Sequence, residues 1–213
     1  FLQLPVSLGL ALLLNSRLVR FRNFFRFVFF SPYLLGPVFT AVLFSVIYAP
    51  NDGLLNIVLN AILGVAIDRA WLETPSLVMP ALILTALWMY AGFNMIYFLA
   101  ALQNVDKNLV EAARIDGANR WQVFRNVVYP GISSTVVVVW TTVVITVWKV
   151  FDIVWVMTGG RDGTQVIAQQ MVQEFFTNFN YGMGAALAVL LFIAVTPILV
   201  MNVRRFREQE ATR

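Results

Sequence analysis

The chain has 213 residues, 60% of them hydrophobic and only 12% charged, with a mean hydropathy of +0.77 and a formal charge of +4. Soluble domains carry about 25% charged residues, so this composition predicts a chain solvated mainly by lipid. It contains no cysteine and no histidine, which excludes disulfides, thiol chemistry, histidine catalysis and the usual zinc sites.

A membrane helix needs roughly 20 mainly apolar residues, and five such segments are expected. The first covers residues 1–15. Phe1 stands inside its apolar run, which leads to the expectation of a preceding N-terminal segment; residues 1–14 lack the basic start of a signal peptide. The second, 28–49, carries Pro32 and Pro37; the third, 76–102, carries Pro80. The fourth, 132–157, contains SSTVVVVWTTVVITVWKVFDIVWVM, whose β-branched content favours a strand by propensity alone. It lacks strict alternation and is over twice the length of a barrel strand. In lipid a lone strand leaves its amides unpaired, so a helix is expected. The fifth, 182–203, carries Pro197. Without a repeat or a low-complexity linker, residues 1–213 read as one membrane domain, an all-α polytopic helical bundle.

The basic residues orient this bundle. Arg17, Arg20, Arg22 and Arg26 lie between the first two spans; Lys107, Arg114, Arg120 and Arg125 lie between the third and fourth; Arg204, Arg205, Arg207 and Arg213 follow the fifth. The alternate loops hold only Arg69 and Arg161, and Lys149 stands inside the fourth span. The positive-inside rule therefore places the arginine-rich loops and the C-terminus in the cytoplasm. Topology accounts for the net charge, and no nucleic-acid partner is expected.

The cytoplasmic segment 105–130 is the most charged stretch between two apolar blocks. Leu109, Ala112 and Ala113 share one face of a short helix, which Gly117 can end with a positive φ. Asn119 and Gln122 have the spacing of a capping box opening a second helix. Trp121, Phe124 and Val128 line that helix, and Pro130 marks the return toward the membrane. From physics alone this compact knob is either a docking element or an amphipathic hairpin lying on lipid headgroups.

The stretch EAARIDGANRWQVFRNVVYP, 111–130, resembles the EAA loop of binding-protein-dependent ABC importer permeases, in particular their carbohydrate-uptake branch. Glu111, Ala112, Ala113, Gly117 and Pro130 match at the family's spacing; Val127 and Tyr129 replace the usual Ile and Leu. Ahead of the loop the family has Ile-Pro and this chain has Val105-Asp106, so a less sharply broken helix is expected there. RFRNFFRFVFFSPYLLGP, NDGLLNIVLNAILG, LWMYAGFNMIYFLAALQNV and FDIVWVMTGGRDGT extend the resemblance over nearly the whole chain, with Arg161 where Pro is usual. The last of these looks like the maltose-type "F" permease. The resemblance implies a type I importer permease core in the cytoplasmic membrane. Its implied partners are a second homologous permease, two ATP-binding subunits and an extracytoplasmic solute-binding protein. It also implies that Glu111, Ala112, Ala113, Asp116, Gly117, Arg120, Phe124 and Pro130 couple this chain to the ATPase. ATP and Mg would belong to those ATPases; no cofactor is expected on this chain, which lacks a P-loop and the G-x-S-x-G of a serine hydrolase. The implied solute is a sugar or oligosaccharide, with a polyol or glycerol-phosphate as the runner-up. A non-transporting membrane scaffold is the alternative of a different class.

Sugar sites combine aromatic faces with amide and hydroxyl groups. Tyr33, after Pro32, is where the family's matching aromatic lines the solute path. Tyr90 and Asn94, four apart, share a helix face and form a polar-aromatic patch with Trp88. Trp148, Phe151 and Trp155 recur at helical spacing. Tyr33, Tyr90, Asn94, Trp148 and Phe151 are thus the expected substrate pathway, with interfacial anchoring as the competing role for such aromatics. Lys149 lies about 26 Å along its helix from Ile132, near the outer surface, and a structural ion pair with Asp152 is expected.

Overall fold

The computed structural model describes residues 1–16, 19–64 and 68–211, with side chains through Arg204; Arg17 and Arg213 of the charge argument lie outside them. No β-strand occurs among the described residues. The helices are α1 (Gln3–Asn15), α2 (Arg22–Ile47), α3 (Leu54–Leu63), α4 (Pro75–Gln103), α5 (Lys107–Ile115), α6 (Arg120–Val123), α7 (Tyr129–Trp148), α8 (Asp152–Met157), α9 (Ile167–Val172) and α10 (Tyr181–Ala211). Two π-helical turns, Phe124–Val128 and Gln173–Thr177, lead into α7 and follow α9. Among the described residues, four segments are long and apolar enough to cross a membrane: α2, α4, the run Arg120–Trp148, and Tyr181–Arg204 of α10. With 13 residues, α1 extends only about 20 Å at 1.5 Å per residue, and it packs along the C-terminal half of α4.

Two apolar clusters organise the bundle around α4. Ala11 and Leu14 of α1, Met95, Phe98, Leu99 and Leu102 of α4, and Ile132 and Val139 of α7 form one. Ala41 and Tyr48, Val78, Leu82 and Met89 of α4, and Ile153, Val154 and Met157 of α8 form the other. Across its most apolar window, α4 is 39% buried and α10 only 6%, so α4 is the central strut and α10 a peripheral helix. At Gly92 the backbones of α4 and α2 touch: a Cβ added there would collide with the carbonyl of Phe29. Such small-residue contacts replace the hydrophobic drive that lipid does not supply.

The β-branched run is helical, as the amide argument requires. Its threonines bond within the helix: Thr141 Oγ1 donates to the carbonyl of Val137 at 2.8 Å, and Thr142 Oγ1 to that of Val138 at 3.0 Å. The extended loop beyond α2 is pinned by Asn56, which is fully buried. Its Nδ2 donates to the carbonyl of Arg69 at 3.1 Å, and its Oδ1 accepts from Trp71 Nε1 at 2.7 Å. Gly53, just ahead of Asn56, has no space for a Cβ against the backbone of Ala49.

Two expectations are corrected. The fourth span does not reach Met157. It ends at Trp148, residues 149–151 break the helix with Phe151 at φ −140° and ψ −59°, and α8 turns to pack on α2. Pro130, expected to mark the return toward the membrane, is the second residue of α7, inside a helical run from Arg120 to Trp148. Proline has no N–H for the carbonyl four residues back, and the π-turn placed just before it absorbs that lost bond. Finally, the break ahead of the hairpin is sharp without Ile-Pro. α4 stops at Gln103, and the carboxylate of Asp106 caps α5 by accepting from the backbone N–H of Asn108 at 2.8 Å.

The Gly92 contact makes a prediction. Gly92→Ala lowers the unfolding free energy of the protein in detergent by about 1–3 kcal/mol, the usual cost of overpacking. An unchanged thermal midpoint would contradict a backbone contact at that point.

Candidate functional site

The hairpin 107–128 is built from local signals that can be named atom by atom. After Ile115, Gly117 takes φ +81°. The N–H of Ala118 reaches back to the carbonyl of Ala113 at 3.0 Å, and the N–H of Gly117 to that of Arg114 at 3.1 Å. This is a Schellman termination. It gives Ala113 and Ala118 defined positions facing each other across the turn, both half-buried. Open space surrounds the Gly117 α-carbon, so the requirement there is for the left-handed backbone and not for room. Asn119 Oδ1 then accepts from the N–H of Gln122 at 2.9 Å, while Gln122 Oε1 accepts from the N–H of Asn119 at 2.8 Å. The expected capping box is formed on both sides.

Trp121 stacks on Phe124 with ring centroids 5.6 Å apart, and Val123 is buried. Much of the rest faces outward. Ile115 is 85% exposed and Trp121 66%; Glu111, Ala112, Asp116, Arg120 and Pro130 are exposed too. The structure thus brings most of the expected coupling residues onto one projecting element, with Phe124 half-buried in its stack and Pro130 at the start of α7. Ile115, apolar and the most exposed of the hairpin's large side chains, was not among the residues singled out from sequence. Its signal was an isoleucine at the last helical turn, off the face carried by Ala112 and Ala113.

The second region is a cleft of about 220 Å³ where two interrupted helices meet. Gly36, at φ +76° and ψ +164°, breaks α2 between Pro32 and Pro37. Pro37 and Tyr90 face Thr146, Lys149, Phe151 and Asp152 across the opening. Tyr33 lies against Tyr90 with centroids 6.1 Å apart and stacks on Phe93 at 4.2 Å. The break also strands Thr40, whose Oγ1 is buried without a partner. Its natural acceptor, the carbonyl of Gly36 four residues back, has been turned away by that ψ.

Of the expected pathway residues, Tyr90 and Phe151 line the cleft and Tyr33 backs Tyr90. Asn94, one turn further along α4, is 3% exposed and does not reach the opening. Trp148 is separated from it: Trp148 closes α7 and faces outward, whereas Phe151 lies past the break and stacks on Trp155 at 5.6 Å. Trp88 packs on Phe44 instead of joining Tyr90. Lys149 and Asp152 form no ion pair among the described residues, and both line the cleft. The three-residue spacing would have paired them on an intact helix; the break at 149–151 removes that geometry. No group of His, Cys, Asp and Glu among the described residues could hold a metal ion.

Helices interrupted at a polar cleft inside an apolar bundle, with a capped hairpin projecting beyond the spans, are the design of a membrane transport protein. The chain belongs to the family of binding-protein-dependent transport system inner membrane components, whose family model matches residues 3–209. It is 41% identical to an osmoprotective compounds uptake permease of Synechocystis, over 99% of this chain and 77% of the relative. It is 38% identical to an alpha-glucoside transport system permease of Rhizobium meliloti, over 85% of this chain and 56% of the relative. A trehalose/maltose transport system permease of Thermococcus litoralis is 32% identical over 97% of this chain and 70% of its own length. Among solved structures, a bacterial ABC transporter that imports alginate superposes with a TM-score of 0.84 at 23% identity, covering 96% of this chain and 72% of that one. That likeness establishes the fold.

The hairpin geometry has a measurable consequence. Gly117→Ala forces an L-residue into the left-handed region, at a cost of about 1–2 kcal/mol. Amide exchange at the α5–α6 turn then accelerates roughly 5- to 30-fold. Unaltered exchange would mean that the Schellman turn does not hold the hairpin.

Proposed function

We propose that this chain is a solute-conducting subunit of an ATP-driven importer, moving a sugar or oligosaccharide across the cytoplasmic membrane. Its partners in this reading are a second, homologous permease, two ATP-binding subunits that carry ATP and Mg, and an extracytoplasmic solute-binding protein. The observation that carries the reading is the hairpin 107–128: a doubly capped, rigid element that presents Ile115 and Trp121 to an outside partner. A projecting apolar pair ringed by Glu111, Arg114, Asp116 and Arg120 suits a protein groove with a charged rim. ATP-driven closure of the ATPases would displace this element as a rigid body and rock the helices around the cleft.

In the same reading the cleft is part of the solute path. Tyr90 and Phe151 offer aromatic faces; Thr146, Lys149 and Asp152 offer donors and acceptors for hydroxyl groups. The relatives that transport alpha-glucosides and trehalose or maltose support a carbohydrate. The relative named for osmoprotective compounds favours one second reading, a small polyol-like osmolyte. The positive-inside distribution supports a cytoplasmic hairpin and C-terminus.

Two experiments test these assignments. With the assembled importer in vesicles, Glu111→Lys weakens co-purification of the ATPase, and a compensating charge reversal in the ATPase groove partly restores it. Gly117→Val abolishes solute-stimulated ATP hydrolysis. Full attachment and full transport in both variants would reduce the hairpin to a passive surface element. For the cleft, Asp152→Ala lowers uptake about tenfold or more, because a hydrogen bond to a charged group contributes about 1.5–3 kcal/mol, while ATPase attachment persists. Unchanged uptake over all solutes that the cognate binding protein accepts would remove Asp152 from the path.

A further inference from the structure

Apart from the cleft of the proposed solute path, the molecule has a second, more apolar cavity. It is an open groove of about 570 Å³ between α1, α4, α7 and α10. Leu8, Val137, Trp140 and Ile198 form its walls, and Tyr129 and Asn202 stand at one end. Thr141, the other hydroxyl on its wall, is already bonded to its own helix. The groove therefore offers nothing to a hydroxyl-rich solute along its length. From Tyr129 to Trp140 it follows α7 for eleven residues, about 16 Å at 1.5 Å per residue. One leaflet of a bilayer has a hydrocarbon depth of about 15 Å.

Charge is concentrated at the polar end. Arg125 precedes Tyr129 by about one turn of the same helical run, and Arg204 follows Met201, a groove residue, by three positions on α10. Both arginines are exposed. Apolar walls one leaflet deep, closing on two exposed cations and two uncharged hydrogen-bonding groups, match one kind of ligand. We infer that this groove holds an acyl chain of an anionic phospholipid, with the phosphate held by Arg125 and Arg204 and hydrogen-bonded by Tyr129 and Asn202. The site ties the helical run that leaves the hairpin to the peripheral helix α10, which otherwise buries little of its surface in the bundle. It lies in the cytoplasmic leaflet if the orientation proposed above holds, but occupancy of the groove does not depend on that orientation.

The assembled importer in vesicles tests this with brominated lipids, which quench a tryptophan they touch. Trp140 is 42% exposed on the groove wall, and its signal is the difference between the native chain and Trp140→Phe. At equal mole fraction, brominated phosphatidylglycerol quenches Trp140 several-fold more effectively than brominated phosphatidylcholine. Arg125→Gln and Arg204→Gln each reduce that preference about fivefold, and Val137→Phe, which fills the groove without adding a fluorescent indole, removes the quenching by phosphatidylglycerol. Equal quenching by both lipids would mean ordinary boundary lipid and would overturn the site. No quenching by either would also overturn it, showing the groove covered by protein, such as the second permease. Cysteine labelling at Asn119 and Gly163, from the cytoplasmic and outer sides respectively, tests the orientation separately.

Discussion

Everything in this structure follows from the need to satisfy backbone amides where no water can reach them. That requirement turns a valine- and threonine-rich run into a helix against its propensity, with Thr141 and Thr142 bonded back onto their own backbone. It also dictates where helices can stop. The interruptions at Gly36 and at 149–151 both open onto the cleft lined by Tyr90, Thr146 and Asp152, where freed polar groups face other polar groups instead of lipid. One π-turn, Phe124–Val128, sits just before Pro130, where one amide is missing; the other, Gln173–Thr177, follows α9 outside the four long apolar segments. Departures from regular helix are thus confined to places where protein or solvent can take them up.

The same constraint separates two kinds of element. The spans are held by tertiary contact, chiefly the approach of Gly92 to Phe29 and the packing of α4 between two apolar clusters. The hairpin is held by its own sequence: an Asp106 cap, a Schellman turn at Gly117 and a reciprocal Asn119–Gln122 box. An element that is rigid without leaning on the bundle can carry force between a partner and the spans, which is the property a coupling lever needs.

This division decides what could be read from the sequence. Span type was legible because hydropathy over about 20 residues is a strong signal, and among the described residues four of the five expected segments are long and apolar enough to cross a membrane. The hairpin was legible because capping is local: the spacing of Gly117, Asn119 and Gln122 specified the turn and the second helix. The break at 149–151 was not. Trp148, Phe151 and Trp155 kept a helical spacing across it, and only the backbone at Phe151 and the packing of α8 against α2 reveal the interruption. That one error propagated, grouping Trp148 with Phe151 and pairing Lys149 with Asp152. Asn94 illustrates a second limit. Its position on the face of Tyr90 was correct, yet one helical turn of depth separates a cleft-lining group from a buried one.

The central claim, that the projecting hairpin is the contact through which ATP hydrolysis reaches the membrane helices, is tested most directly at Ile115. A photoactivatable cross-linking residue placed there in the assembled importer is expected to capture the ATPase subunit in membranes, with a yield that changes between nucleotide-free and ATP-bound states. Capture of lipid alone, or an ATPase adduct indifferent to nucleotide, would contradict the account.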